Sequence, residues 1–187
     1  MIDAAADAHV SGNKAMALRD ILAFPDPRLR QKAAPVTDFD TDLRRLADDL
    51  LETLRAAQGL GITAPHIGVL TRLTVIELSP EDGPRTYVNP EVIWSSPETA
   101  KDQEGSLSMA GVLDTLERPA KIRVRYQTLD GETREEEAEG LLSVCLQHEI
   151  DQLDGIFWTY RLSALKRDRL VKRYEKLKRL GRHEPAA

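Results

Sequence analysis

The order in which the hydrophobic period changes along this chain restricts its fold more than any other feature. From Thr41 to about Gln58, the residues Leu43, Leu46, Ala47, Leu50, Leu51 and Leu54 recur at spacings of three and four. Capping candidates Asp40 and Thr41 precede this stripe and Gly59 follows it, which predicts an amphipathic helix. Between Arg72 and Gln127 the pattern gives way to short β-branched and apolar runs, LTVIEL, TYV, EVIW and KIRVRYQ, punctuated by Asp82-Gly83, Pro84, Pro90 and Pro97. These read as antiparallel strands. Asp130-Gly131, set between KIRVRYQTL and ETREEEAE, predicts a tight hairpin turn with both central residues at positive φ and a second strand that is an edge or faces solvent.

Helical spacing returns from Gly140 to about Leu153 through Leu141, Val144, Cys145, Ile150 and Leu153, with Gly155 placed to end it. A last helix is expected from Ser163 to about Leu180, with Leu170, Tyr174 and Leu177 as its apolar stripe. The expected fold class is α+β: one domain in which antiparallel strands surround a buried central helix, with a further helix at the C-terminus. At 187 residues there is room for one compact core and no second full domain. Residues 1–17 are small and polar without period and are expected to form a disordered extension, leaving a domain over 18–182.

Several function classes drop out on composition. No apolar run approaches the ~20 residues that span a bilayer, so no membrane role is expected. The one cysteine, Cys145, cannot form an internal disulfide and, lying on the buried helix face, reads as a small core residue and not a nucleophile. The opening fifteen residues lack the apolar stretch of a secretory signal. The expectation is a monomer in a reducing cytoplasm. Charge is uneven: ten Lys or Arg between Arg161 and Arg182 face only Asp168 and Glu175, a surplus of eight, so the rest of a chain of net charge −5 carries −13. An acidic body with a basic tail is suited to a polyanion, although such a run also describes a plain solvated helix face.

Three short segments carry the chemistry. They are Gly59-Leu60-Gly61-Ile62-Thr63-Ala64-Pro65-His66-Ile67-Gly68, then Glu104-Gly105-Ser106-Leu107-Ser108, then Gln147-His148-Glu149-Ile150-Asp151-Gln152-Leu153-Asp154-Gly155. In this order, between the opening PDPRLR and the closing LSALKRDRL, they resemble the peptide deformylase family over about residues 19–180. That family builds its site from a glycine-rich loop ending Ala-Pro-Gln, a Glu-Gly-Cys-Leu-Ser segment, and a helix reading Gln-His-Glu-x-Asp-His-Leu-x-Gly. The resemblance implies a divalent metal, iron or zinc, held by the cysteine and two histidines one helical turn apart. It also implies a glutamate general base and removal of the formyl group from the N-terminal formyl-methionine of nascent polypeptides. Carried over, Glu149 is the base, and His66 with the backbone N–H of Leu107 occupies the oxyanion positions. Gly59, Gly61, Ile62, Glu104 and Gly105 fall where substrate is bound, with Gly59, Gly61 and Gly68 serving as loop glycines that allow positive φ or close approach.

The departures from that pattern alter the expectation. Ser106 stands at the cysteine position, Gln152 at the second histidine and His66 at the glutamine, so His148 is the one metal ligand retained. A hydroxyl and a neutral amide are poor replacements for a thiolate and an imidazole, so no tightly bound cofactor is expected and hydrolysis should be absent or greatly reduced. The partners are then formylated or other peptide N-termini and, through residues 163–182, the ribosome, which deformylases approach by a basic C-terminal helix. Two alternatives stay open at this point: a working deformylase with a rearranged ligand set, and a metal-free hydrolase using Ser106 as nucleophile with His148 as base.

Overall fold

The computed structural model describes residues 17–181. The extension expected over residues 1–17 falls, apart from Ala17, outside the described residues, as does Arg182 at the end of the basic run. Among the described residues, three α-helices and seven strands follow one another: α1 (Thr41–Ala56), β1 (Gly61–Thr63), β2 (Leu73–Ile76), β3 (Arg85–Ser95), β4 (Thr99–Glu104), β5 (Asp114–Pro119), β6 (Lys121–Gln127), β7 (Thr133–Glu139), α2 (Gly140–Leu153) and α3 (Ala164–Gly181). All strand pairings are antiparallel, in a five-stranded sheet ordered β1-β2-β3-β6-β7 and a separate β4-β5 hairpin. The α+β class and the C-terminal helix are as the sequence indicates.

The two faces of the larger sheet organise the core. Leu73 and Val75 of β2, with Val88 of β3, pack against Leu43, Ala47, Leu50 and Leu54 of α1. Ile76 and Tyr87 point the other way, where Ile122, Val124 and Ala138 meet Cys145, Leu146 and Ile150 of α2. With both faces covered, β2 is buried at all four positions, which is why LTVI reads as an unbroken apolar run and not an alternating one. A third cluster joins Leu29, Met109, Val112, Leu116, Phe157 and Trp158 to Leu170 and Tyr174 of α3. Asp40 caps α1, its carboxylate accepting from the N–H groups of Asp42 and Leu43.

Four expectations need correction. TYV and EVIW form one strand, β3, which passes Pro90 by a register shift between Val88 and Glu91, with Asn89 at φ 52°. The turn after β6 is a three-residue loop, Leu129–Gly131, closed by Thr128 N–H to Glu132 O, and Gly131 alone takes positive φ. Leu177 is 40% exposed and lies beside Gly111, so it does not complete the buried stripe of α3. Gly59 and Gly61 are not at positive φ; of the three loop glycines only Gly68 is, at 80°. β1 and the charged β4-β5 hairpin are elements that the hydrophobic pattern did not mark.

β7 is an edge strand, and its acidic side chains are answered across the ladder. Glu139, Glu137 and Glu135 stand opposite Lys121, Arg123 and Arg125 and pair with them at 2.6–2.9 Å. These exposed pairs fix register and discourage edge-to-edge association more than they stabilise the fold.

Gly155 closes α2 against the N-terminal segment: it holds φ 75°, and a Cβ there would lie 2.7 Å from the Arg30 carbonyl oxygen. Gly155→Ala should therefore lower stability by at least ~2 kcal/mol, from left-handed strain plus backbone clash. Gly83→Ala, at φ 70° with open space around it, should cost only about 1 kcal/mol. Urea unfolding of the two variants checks the difference, and equal midpoints would remove the packing argument.

Candidate functional site

A cleft of about 420 Å³ opens between α2, the β1 segment and the Gln103–Leu113 stretch. Its polar lining brings together His66, Glu104, Ser106, His148 and Glu149, with Gly59, Gly61, Gly105 and Leu107 around them. Leu60, Val112, Leu113, Leu141 and Val144 supply an apolar wall. Two of the predicted site residues do not line it: Ile62 is buried in the α1 core, and Gln152 lies beneath, at 2% exposure. The backbone explains the glycines. A Cβ on Gly61 would sit 2.5 Å from Glu149 Oε1, one on Gly59 2.9 Å from Leu54 Cδ1, and one on Gly105 2.4 Å from Leu113 Cδ2. Close approach and not positive φ requires them.

α2 carries His148 and Glu149 in its second half, where every residue from Cys145 to Leu153 is buried. A buried imidazole needs a partner. His148 Nδ1 lies 2.9 Å from Glu104 Oε2, and that carboxylate is held by Arg118, whose Nε and Nη2 donate to its two oxygens at 2.6 and 2.9 Å. Arg118 Nη1 donates to Asp151 at 2.8 Å, and Arg161 Nε donates to the same carboxylate at 3.0 Å. Burial alone would raise the Glu104 carboxyl, but the hydrogen bonds from His148 and Arg118 outweigh it and hold the group down to about 2. As Glu104 is an acceptor only, Nδ1 of His148 carries the proton and Nε2 faces the cleft. Burial would lower His148, yet the Glu104 contact wins and its basicity is raised.

His66 is oriented differently. Its Nδ1 accepts from the Thr63 N–H at 3.0 Å, with the Thr63 hydroxyl at 2.8 Å, while Nε2 is 3.5 Å from Ser106 Oγ. Burial, reinforced by the charge of His148, pushes His66 down to about 3, so it is neutral. Ser106 caps the short 3-10 turn Leu107–Met109 by accepting from Ser108 N–H at 3.2 Å. The hydrogen-bonding neighbours of the Ser106 hydroxyl are thus His66 and Ser108, and His148 is not among them. A Ser106 nucleophile activated by His148 lacks the required contact. Cys145 is buried with its thiol pushed up to about 12 by burial, as befits a core residue.

The donor set does not fit a catalytic metal. Gln152 Nε2 donates to the Leu29 carbonyl at 2.8 Å, leaving His148 Nε2, a serine hydroxyl and an amide oxygen as possible ligands. Among the described residues no three His, Cys, Asp or Glu side chains are placed to hold a metal ion. The outer contacts nevertheless match a histidine site, in which each ligating imidazole donates its second N–H to a carboxylate or a carbonyl. Glu104 serves His148 in this way, and the Leu29 carbonyl receives from position 152. Arg118, Asp151, Thr63 and Leu29 thus support the site without having been flagged by the sequence. Asp151 lay inside the helix motif, whereas Arg118 sits in a charged strand with nothing to distinguish it.

Glu149 stands beside this network with Oε2 buried and without a hydrogen-bond partner. Burial raises its carboxyl to about 7, with Glu104 adding to the push and His148 and Arg118 opposing it. A carboxyl raised on folding costs no stability below its ordinary value of 4.5; the cost grows from there to about pH 7 and is constant above it. Glu149→Gln should therefore gain stability relative to the parent by up to about 3 kcal/mol between pH 4 and pH 8. Urea titrations across that range measure it, and a difference independent of pH would refute the buried-acid assignment.

Comparison with known proteins agrees with this geometry. The polypeptide deformylase family model matches residues 18–168. A peptide deformylase-like protein of Rhizobium meliloti (strain 1021) is 63% identical over 164 residues, spanning 88% of this chain and 95% of the relative. A peptide deformylase of Phenylobacterium zucineum (strain HLK1) is 46% identical over 164 residues, spanning 86% of this chain and 97% of the relative. The crystal structure of a peptide deformylase from Legionella pneumophila superposes with a TM-score of 0.85 at 40% identity, covering 90% of this chain and all of that one. With its three motif segments gathered in one cleft and relatives matched over nearly their full length, the chain belongs to the polypeptide deformylase family.

Proposed function

We propose that this protein receives the N-terminal end of a polypeptide in the cleft and does not hydrolyse it at the family's rate, because the catalytic metal is not held. The observation that carries this reading is the fate of position 152. Gln152 spends its amide N–H on the Leu29 carbonyl, and what it can offer the cleft is a neutral oxygen where the family has an imidazole. Ser106 adds a hydroxyl that stays protonated where the family has a thiolate. Weakening one outer-shell contact of a metal site costs about 10–100-fold, so loss of two direct ligands costs more. The apolar wall of Leu60, Val112, Leu113, Leu141 and Val144 suits an unbranched hydrophobic first residue such as methionine.

Purified protein should hold well under one equivalent of iron, zinc, nickel or cobalt and turn over formyl-methionyl peptides at least ~100-fold more slowly than a relative with all three ligands. Metal analysis and turnover on one sample test this. Stoichiometric metal with ordinary turnover would establish a working deformylase with a rearranged ligand set instead. The repair Ser106→Cys with Gln152→His should restore metal binding. A histidine at 152 can keep the Leu29 hydrogen bond through Nδ1 while Nε2 joins His148, and Glu149 still lies alongside. A folded repair variant that takes up no metal would mean that the cleft has diverged beyond its ligands.

The basic C-terminal helix supports a second interaction. On α3, Arg167, Arg169, Lys172, Arg173, Lys176, Lys178 and Arg179 make no ion pair among the described residues, whereas Lys166 is tied to Asp114 at 3.0 Å. Unpaired cations on an exposed helix above an acidic body favour association with ribosomal RNA, by charge attraction and counterion release. Co-sedimentation with ribosomes should fall steeply with salt and drop when Lys172, Arg173, Lys176 and Lys178 are neutralised. Equal pelleting of parent and variant, or none at low salt, would reduce the helix to a solvated face.

A further inference from the structure

We infer that a second cavity, on the face of α2 turned away from the cleft, binds a primary alkylammonium group, the chemistry shared by a free polyamine and a lysine side chain. This site does not depend on what enters the cleft. Gln147, Ile150, Asp151 and Asp154 recur at spacings of three and four and so share one face of the helix, whereas His148 and Glu149 line the cleft. With Glu91 and Val92 of β3 and the Leu116–Pro119 stretch of β5 they bound about 440 Å³, within the range of roughly 300–1,000 Å³ that small-ligand sites occupy.

The hydrogen-bond inventory of the wall selects the ligand, because its donors are already engaged. Arg72 donates through Nε and Nη2 to the Pro90 carbonyl and through Nη1 to Asp154 at 2.7 Å. Arg118 is held between Glu104 and Asp151, and Arg161 is paired with Asp151, which leaves it Nη1. Acceptors are what remain. Gln147 is 8% exposed, and its Nε2 donates to the carbonyl oxygens of Pro119 at 3.0 Å and Ser143 at 3.1 Å. Carbonyls only accept, so the amide cannot be reversed, and its Oε1 has no partner among the described residues. Oδ2 of Asp154 and Oε2 of Glu91 have none among these residues either, the other oxygen of each being taken by Arg72 and Arg125.

Charge points the same way. Four carboxylates in the wall face three guanidiniums, and Arg118 is matched again by Glu104 behind it. Exposed cations answer the rim loosely: Arg125 lies 3.3 Å from Glu91, Lys101 3.7 Å from Glu117 and Lys32 3.8 Å from Asp154. The fitting ligand therefore brings positive charge and donors without acceptors, as an ammonium does with its three N–H groups. Between the polar groups, Val92, Leu116, Pro119 and Ile150 give an apolar floor for the methylenes behind that ammonium. A carboxylate or phosphate would meet acceptors it cannot satisfy.

The test is an NMR titration of the full chain with pentan-1-aminium chloride at low salt, beside pentyltrimethylammonium chloride, which has the same charge and stem but no N–H. The first should give saturable shifts centred on the Gln147 side-chain amide and the methyls of Val92 and Ile150, and the second should bind about tenfold more weakly or less. Glu91→Gln with Asp154→Asn should weaken the first by a similar factor. As Asp154 also holds Arg72, Val92→Lys serves as a second variant: at a position 36% exposed, its own ammonium should fill the cavity and abolish binding. Displacement by spermidine or by N-acetyl-Gly-Lys-Gly-amide then assigns the source, a free polyamine or a partner's lysine, to whichever acts at the lower concentration. No saturable shift at millimolar ligand, equal affinity for the trimethyl compound, shifts spread over the acidic surface, failure of both competitors, or undiminished binding in a folded Val92→Lys would each overturn the site.

Discussion

The arrangement of this cleft depends on one buried ion cluster, Glu104–Arg118–Asp151. Arg118 lies on β5 and Glu104 at the end of β4, so their two-pronged contact closes the small hairpin on itself. The third guanidinium nitrogen reaches Asp151 and fastens that hairpin to α2. Taking such charges out of water costs several kcal/mol per ion, and the cluster is tolerable only because its hydrogen bonds are made in good geometry. Arg161 completes it from the turn before α3. Without Arg118, Glu104 would be a buried charge with only His148 to answer it, and the ring of His148 would lose its fixed orientation. The position of the His148 imidazole is therefore a property of a strand hairpin and of the helix that bears it.

The side chains of the cleft rest on a support of buried hydrogen bonds. The contacts that steer side chains into the cleft are all present: Glu104 beneath His148, the Leu29 carbonyl beneath Gln152, and Ser108 N–H on Ser106. The chemistry presented inward is one imidazole, hydrogen-bond donors and a neutral oxygen. A cation is poorly served by that set, whereas an oxygen atom with lone pairs is well served. Glycines at 59, 61 and 105 keep the backbone close enough for such contacts.

The helices were legible in the sequence because their apolar period is strong and their caps are local: Asp40 is followed two and three residues on by the N–H groups that it binds. The α+β class followed from the change of period. The charged β4–β5 hairpin was invisible, since pairs such as Lys101 opposite Glu117 carry no hydrophobic signal. β3 was split at Pro90 because a proline in a strand argues for a break, and only a bulge beside Asn89 lets the ladder continue. At the site, the motif positions were legible by resemblance, but the roles of His66 and Gln152 were not. Which nitrogen of His66 is protonated is decided by the Thr63 amide, and where Gln152 points is decided by Leu29, 123 positions away.

The same contacts tie the basic helix to the mouth of the cleft. Lys166 binds Asp114, and Leu177 lies over Gly111, where a Cβ would come within 3.4 Å of its Cδ1. Ala110–Leu113, the stretch that holds Gly111 and leads to Asp114, borders the cleft. Leu170 and Tyr174 meanwhile pack into the cluster that holds Met109 and Val112. The inner side of α3 is thus spent on the wall of the cleft, and its cations are left on the outer side. Whatever those cations meet, the mouth of the cleft is held at a fixed distance from it by packed side chains and not by a flexible tether. An anionic surface that captured α3 would therefore also fix where the mouth of the cleft lies relative to it.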